Sequence, residues 1–179
     1  FNLVKEQMHK KWPDAKYIAY FQAYTNTYAP IKVLREKYQE AIDQRGVVGL
    51  AIATRPDCLG YEVLDILQAF NKKIYTWVEL GLQTSNDCTA ETINRGYKLK
   101  TFEKAVSVLR EIGIDVVTHI IMGLPGENKV DMMNTIKYIS NQDIQGVKLH
   151  LLHLMKYTPL VELYNKGQLK FMTQDEYVN

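Results

Sequence analysis

The sequence predicts an α/β domain built as part of a (β/α) barrel, and three observations lead there. Short β-rich runs alternate with longer amphipathic stretches, the pattern of parallel strands joined by helical crossovers. Polar and small residues recur on one side of successive runs while the other side stays apolar. Polar clusters also gather at the C-terminal ends of the runs, where a barrel carries its working groups.

The first strand is predicted at Lys16 to Tyr24, followed by a helix over Pro30 to Gln44. Val47 to Thr54, an unbroken apolar run, is the next strand, and Gly60 to Asn71 its helix. Thr76 to Gln83 follows, then a short helix at Ala90 to Asn94 and a longer one at Thr101 to Ile112. Val116 to Met122, a helix over Lys129 to Asn141, and Val147 to Leu154 complete the series. Loops are short and nothing resembles an interdomain linker, so residues 1–179 read as a single domain.

Alternation along the strands sorts their side chains. Ala19 and Phe21; Val48, Leu50 and Ile52; Val78, Leu80 and Leu82; and Val147, Leu149 and Leu151 are expected to pack under helices. The opposite side carries Tyr20, Gln22 and Tyr24; Ala51, Ala53 and Arg55; Glu79, Gly81 and Gln83; His119; and Lys148 with His150. In a doubly wound sheet helices would cover that side too, at a cost of roughly a few kcal/mol per unpartnered polar group. A curved sheet lining a cavity avoids the conflict. The polar ends Gln22 to Asn26, Thr54 to Asp57, Gln83 to Asp87 and Gly123 to Glu127 then share one rim.

Composition excludes extremes. The net charge of +2 permits an anionic partner without demanding one. The lysine clusters (Lys10 with Lys11, Lys72 with Lys73, and Lys98, Lys100 and Lys104) read as solvated faces. Two cysteines, Cys58 and Cys88, in no metal-type spacing, point to a reducing compartment, hence the cytoplasm. No apolar run approaches the roughly 20 residues of a membrane span. The opening at Phe1, straight into the amphipathic "FNLVKEQMHKKW", and the closing "MTQDEYVN", with Thr173 and Glu176 spaced as a capping box, read as the ends of a piece of a longer chain.

Several stretches taken together resemble a known family. "GLAIATRPDCL", "VELGLQTSND" followed by "TINRGY", and "THIIMGLPGE" are similar in order and spacing to strands three, four and five of radical SAM enzymes. The likeness is nearest to the Elongator catalytic-subunit-like branch and the oxygen-independent coproporphyrinogen oxidases. "YIAYFQAYTNTYAP" and "VKLHLLHLMKYTPL" look nearer still to bacterial radical SAM or Fe-S oxidoreductase-like proteins of unknown substrate. The resemblance implies strands two to six of a TIM-type barrel, without the first strand and its cluster loop.

It also implies site residues. Gln83 and Arg95, twelve residues apart, match positions that hold S-adenosylmethionine. A guanidinium suits the carboxylate of the methionine half, and an amide can both donate to and accept from ribose hydroxyls. Two plainer readings stand beside these: Gln83 as a strand-end cap for the next loop, and Arg95 as an ion pair with Asp87 or Glu91. Ser85 to Asp87 would shape the loop that brings Arg95 to the cofactor. Ala23, Tyr24 and Thr25, with Gln22, match a turn whose carbonyls meet the cofactor's amino group, although the family's glycines are missing there. Ala53 and His119 replace acidic residues of relatives, so ribose recognition must differ. Ile121 matches an adenine-packing position, and ordinary core is its alternative. Lys148 and His150 could touch substrate; His153 points to the other face. His9 is expected to face solvent.

The family's chemistry needs three cysteines in a CxxxCxxC-type loop to hold a [4Fe-4S] cluster, and this chain has only two cysteines, far apart. Either a preceding segment carries the loop or the protein is a degenerate relative. The expected function is a radical SAM core whose intact form, fed by an external electron donor, abstracts hydrogen from an unknown substrate, a tRNA base being one candidate. The alternative is a catalytically degenerate barrel that binds nucleic acid.

Overall fold

The computed structural model describes residues 11–178. Five strands, β1 (Tyr17–Phe21), β2 (Val47–Thr54), β3 (Tyr75–Gln83), β4 (Asp115–Met122) and β5 (Gly146–Leu151), form one parallel sheet in sequential order. The helices are α1 (Ile31–Ile42), α2 (Tyr61–Asn71), α3 (Asp87–Thr92), α4 (Leu99–Glu111), α5 (Lys129–Ser140), α6 (Pro159–Asn165) and α7 (Gln174–Val178).

That strand order decides where the helices go. Right-handed crossovers that always step to the next strand in the same direction put every connecting helix on one face. The sheet curls into a half-barrel around the other face, which stays bare. A doubly wound sheet would need a reversal in strand order to cover both.

The covered face holds the core. Its helices bury residues at helical spacing: Leu34 and Tyr38 on α1; Val63, Ile66, Leu67 and Phe70 on α2; Phe102, Ala105, Val106 and Leu109 on α4. They meet Leu50, Ile52, Val78, Leu80, Leu82, Val116 and Ile120 from the strands, all 0% exposed. Truncating a residue such as Phe102 to Ala would cost about 3–5 kcal/mol. A smaller cluster of Leu124, Leu152 and Leu169, with Ile121, Leu160 and Phe171 against it, lies beyond the C-terminal strand ends.

The predicted elements are all present, with shifted limits. β1 stops at Phe21 rather than Tyr24, because Tyr24 has φ +63 and turns the chain. β5 stops at Leu151. The short helix predicted from Ala90 begins at Asp87, where Asn86 accepts from the Cys88 and Thr89 amides as its N-cap. Thr173 and Glu176 do form the reciprocal capping bonds of α7. α6, opened by Pro159, was not expected.

Three apolar residues assigned to the covered face are exposed instead. Val48 is 46% exposed, because the β1–β2 register steps from Tyr17↔Val47 to Ile18↔Gly49 and leaves it in a bulge. Val147 and Leu149 are 43% and 54% exposed on β5, the edge strand, whose outer side no described helix buries. His9 lies outside the described residues.

Candidate functional site

The bare face of the sheet encloses a hollow of about 470 Å³ at the C-terminal strand ends. Its wall combines Gln83, Asn94 and Arg55 with Ile121, Leu124 and Leu152. The size falls within the roughly 300–1,000 Å³ of small-molecule sites.

Gln83 owes its position to a second bulge. The β3–β4 register runs Gly81↔His119 and then Gln83↔Ile120, so Leu82 is passed over and Gln83 takes φ +68. A non-glycine residue in that region costs about 1–2 kcal/mol. Gly81 leaves the space that the Gln83 amide fills, since a Cβ on Gly81 would stand 2.9 Å from Gln83 Nε2.

Beyond Gln83, the polar run is held from within. Thr84 is fully buried and its hydroxyl donates to the Glu127 carboxylate, whose proton affinity burial raises. Ser85 N–H donates to Thr135 Oγ1 at 3.1 Å. Arg95, 5% exposed, donates from Nη1 to the Leu82 and Thr84 carbonyls, from Nε to the Tyr97 carbonyl and from Nη2 to Asp87 Oδ1 at 2.7 Å. Of the two ion-pair partners suggested by the sequence, Asp87 is the one found; Glu91 pairs with Lys98. Arg95 still lines the hollow, with one Nη2–H beyond these bonds. Tyr97 lies beneath it, its ring 4.9 Å from the guanidinium and its hydroxyl donating to the Gly81 carbonyl.

At the rim after β1, the Asn26 amide donates to the Phe21 and Ala53 carbonyls at 3.0 and 2.9 Å and fixes the turn that carries Ala23, Tyr24 and Thr25. Tyr38 OH donates to the Asn26 carbonyl, tying that turn to α1. Tyr24, 99% exposed, and Gln22 border the hollow; Ala23 lines a shallower depression beside it. Asn26 was not singled out from the sequence.

Glu79, which strand alternation sets on the inner face without giving it a role, is the hub of that face. Glu79, 3% exposed, accepts from Tyr20 OH at 2.6 Å, Lys148 Nζ at 2.6 Å and Trp77 Nε1 at 3.0 Å, and its Oε2 lies 2.7 Å from His119 Nε2. Burial pushes this carboxyl up, but the bonds from Lys148, Tyr20, Trp77 and His119 outweigh it and hold the group down at about 2. His119 is pulled below its ordinary value by burial, against the opposing pull of Glu79. His150 Nε2 is 3.3 Å from His119 Nδ1. The alternation that put Glu79 beside Lys148 and His119 on one face was the available signal: an inward carboxylate must find cations or donors.

The hollow fits S-adenosylmethionine in size and in its mix of apolar wall and amide groups. A [4Fe-4S] cluster does not fit these residues, because Cys58 and Cys88 cannot supply three thiolates. Among the described residues no group of three or more His, Cys, Asp or Glu converges on a metal position. No described helix is long and apolar enough to cross a membrane.

Comparison with known proteins agrees with this architecture. Residues 2–139 match the Radical SAM superfamily and residues 144–179 the Radical_SAM C-terminal domain. The uncharacterized protein YtqA of Bacillus subtilis (strain 168) is 52% identical over 99% of the chain, which spans 55% of that relative's length. A tRNA uridine(34) acetyltransferase of Methanocaldococcus jannaschii is 28% identical over 80% of the chain and 26% of its own length. The solved Elp3 of Methanocaldococcus infernus superposes with a TM-score of 0.80 over 97% of this chain and 46% of that one, at 21% identity, a likeness of fold. With five parallel strands curled into a half-barrel and a family match over most of its length, the chain belongs to the radical SAM superfamily.

Proposed function

We propose that the chain is the cofactor-holding core of a radical SAM enzyme and that the hollow at the strand ends takes S-adenosylmethionine. One observation carries this reading: a bulge holds Gln83 in a costly backbone conformation at the mouth of the hollow. In ordinary strand geometry its backbone would carry no such penalty.

Gln83 is then the group for the ribose hydroxyls, and Ile121 packs on the adenine. The turn at Ala23, Tyr24 and Thr25 offers carbonyls to the amino group, and His119 borders the ribose side. Arg95 acts chiefly by fixing the Leu82 to Asp87 loop, since three of its five N–H groups are engaged there and a fourth on the Tyr97 carbonyl; the last is left for the carboxylate. When bound, S-adenosylmethionine would supply radical chemistry for hydrogen abstraction, its sulfonium cleaved by one electron from outside these residues with methionine as the leaving group; the protein binds, orients and excludes water. The cluster thiolates and the electron donor come from outside these residues. For the substrate we propose a tRNA base, supported by the archaeal relative named for tRNA uridine(34). Lys148 and His150, on the inner face beside the hollow, are the groups we propose to meet it, and the cytoplasm is the proposed location.

The test uses the longer protein purified without oxygen. Iron and sulfide in cluster stoichiometry, S-adenosylmethionine binding and 5′-deoxyadenosine release are expected. Binding of tRNA with neither iron nor S-adenosylmethionine binding would replace this reading with that of a nucleic-acid-binding barrel.

A further inference from the structure

The inner-face network fixes more than the charge of Glu79; it also orients two imidazoles in series. With Glu79 ionised, its Oε2 can only accept, so the contact at 2.7 Å requires His119 to carry its proton on Nε2. A neutral imidazole has one N–H, and partial burial lowers the affinity of the half-buried His119 for a second proton, against the opposing pull of Glu79. His119 Nδ1 is therefore a lone pair, and the 3.3 Å contact requires His150 to donate to it from Nε2. In neutral His150 this leaves Nδ1 without a proton. The rings lie 5.0 Å apart and are tilted by 38°, the arrangement of a side-by-side relay.

The far end of this relay faces the cavity side of the sheet. Glu79 and His119 line the hollow itself, and His150, in register with Ile121, stands beside it on the same face, as Lys148 does beside His119. His150 is only half-buried, whereas Glu79 is almost completely so. The relay thus runs from an almost fully buried carboxylate to a half-buried imidazole. Charge at the cluster is balanced, because the Lys148 ammonium sits on the Glu79 carboxylate at 2.6 Å. An anionic ligand finds no unopposed cation there. What the site offers is an acceptor nitrogen at His150 and, two residues back on the same face, the Lys148 N–H beyond those given to Glu79 and Tyr20.

We propose that His150 is a substrate-contacting hydrogen-bond acceptor, its Nδ1 accepting from the O–H or N–H of an uncharged polar group of a substrate that lies on the inner face beside the hollow, with His119 and Glu79 as the positioning residues that fix its tautomer. The proposal rests on the inner face at Lys148 and His150 meeting the substrate, as in the function proposed above, but not on the identity of the cofactor in the hollow. It separates His150 from the exposed His153, which no such relay orients.

The test uses the longer protein labelled with 15N-histidine and, as chemical probe, diethylpyrocarbonate, which acylates unprotonated imidazole nitrogen. Both His119 and His150 are expected as Nε2–H tautomers with unprotonated Nδ1. Peptide mapping should find His150 acylated at a rate within threefold of His153, with His119 protected at least tenfold. Two variants separate contact from support. His150→Gln keeps a donor near the Nε2 position and should leave the His119 tautomer signal in place while abolishing the reactive nitrogen. Glu79→Gln should convert His119 and His150 to mixed tautomers and lower acylation of His150 severalfold. If Glu79→Gln fails to fold, the wild-type tautomers alone decide. A His150 found as the Nδ1–H tautomer, or unreactive while His153 reacts, overturns the proposal. Loss of S-adenosylmethionine binding in the wild type would overturn the cofactor reading and leave this one standing.

Discussion

Glu79 on β3 and Lys148 on β5, 69 residues apart in the chain, meet at 2.6 Å across the intervening strand β4. Such a pair ties the inner wall of the half-barrel together from its middle strand to its edge. It also makes the fold sensitive to acid. The Glu79 carboxyl lies near 2 in the folded state, so its contribution is complete above the ordinary carboxylate range and disappears as pH falls from about 4.5 towards 2. His119 acts in the same direction and earlier: its folded value is lowered, so the unfolded chain takes up this proton first as pH drops below about 6.5. Denaturant titrations over the acid range should show stability falling in two stages. The lower stage should amount to roughly 3 kcal/mol and be absent in Glu79→Gln.

Arg95 is expected to be a stability residue first. Its guanidinium is buried, and Arg95→Ala would leave the Asp87 carboxylate without its cation and the Leu82 and Thr84 carbonyls without donors. The two buried carbonyls left without donors cost about 1–3 kcal/mol each, and Asp87, whose side chain is 40% exposed, adds less because water reaches it. Arg95→Lys keeps the charge but cannot reproduce four directed bonds, and a loss of about 1–3 kcal/mol is expected. Thermal unfolding of the two variants measures both. Full stability in Arg95→Lys would mean that only the charge matters.

These two sites show what a sequence does and does not disclose. The alternation of strands and helices was readable because each covered strand repeats apolar residues at period two and each helix at period 3.6. The bare face was readable from Glu79, Gly81 and Gln83 standing at alternate positions. Register was not: the bulges beside Val48 and Leu82 arise from how neighbouring strands align, and nothing local to either residue announces them. Arg95 was legible as a residue with a polar partner, but the choice between Asp87 and a ligand depends on the three-dimensional path of the loop. The exposed Val147 and Leu149 were misassigned because periodicity identifies a face without telling whether a helix covers it.

The conformation of Gln83 separates stability from binding. With φ +68, the backbone there favours glycine, so Gln83→Gly should relieve about 1 kcal/mol of strain, less the entropy glycine restores to the unfolded chain. Its melting temperature should match or exceed that of the parent. The same change deletes the amide at the mouth of the hollow, so affinity for S-adenosylmethionine should fall about tenfold, equivalent to about 1.4 kcal/mol. Calorimetric titration alongside thermal unfolding reads both. Unchanged affinity would remove Gln83 from the cofactor site.

Gly81 gives an independent route to the same group, without touching Gln83 itself. A Cβ at position 81 would approach Gln83 Nε2 to 2.9 Å and Tyr97 Oη to 3.6 Å. The first distance is too short to persist, but the atom that must yield is the end of a flexible side chain. Gly81→Ala should therefore swing the Gln83 amide aside and cost little stability, because alanine fits a strand better than glycine does. The Tyr97 hydroxyl, which bonds the Gly81 carbonyl, is at ordinary contact distance and stays in place. The expected result is a parent-like melting temperature with S-adenosylmethionine affinity reduced as in Gln83→Gly, and no further loss when the two changes are combined. Additive losses in the double variant would show that Gly81 acts on the hollow by a path other than the Gln83 amide.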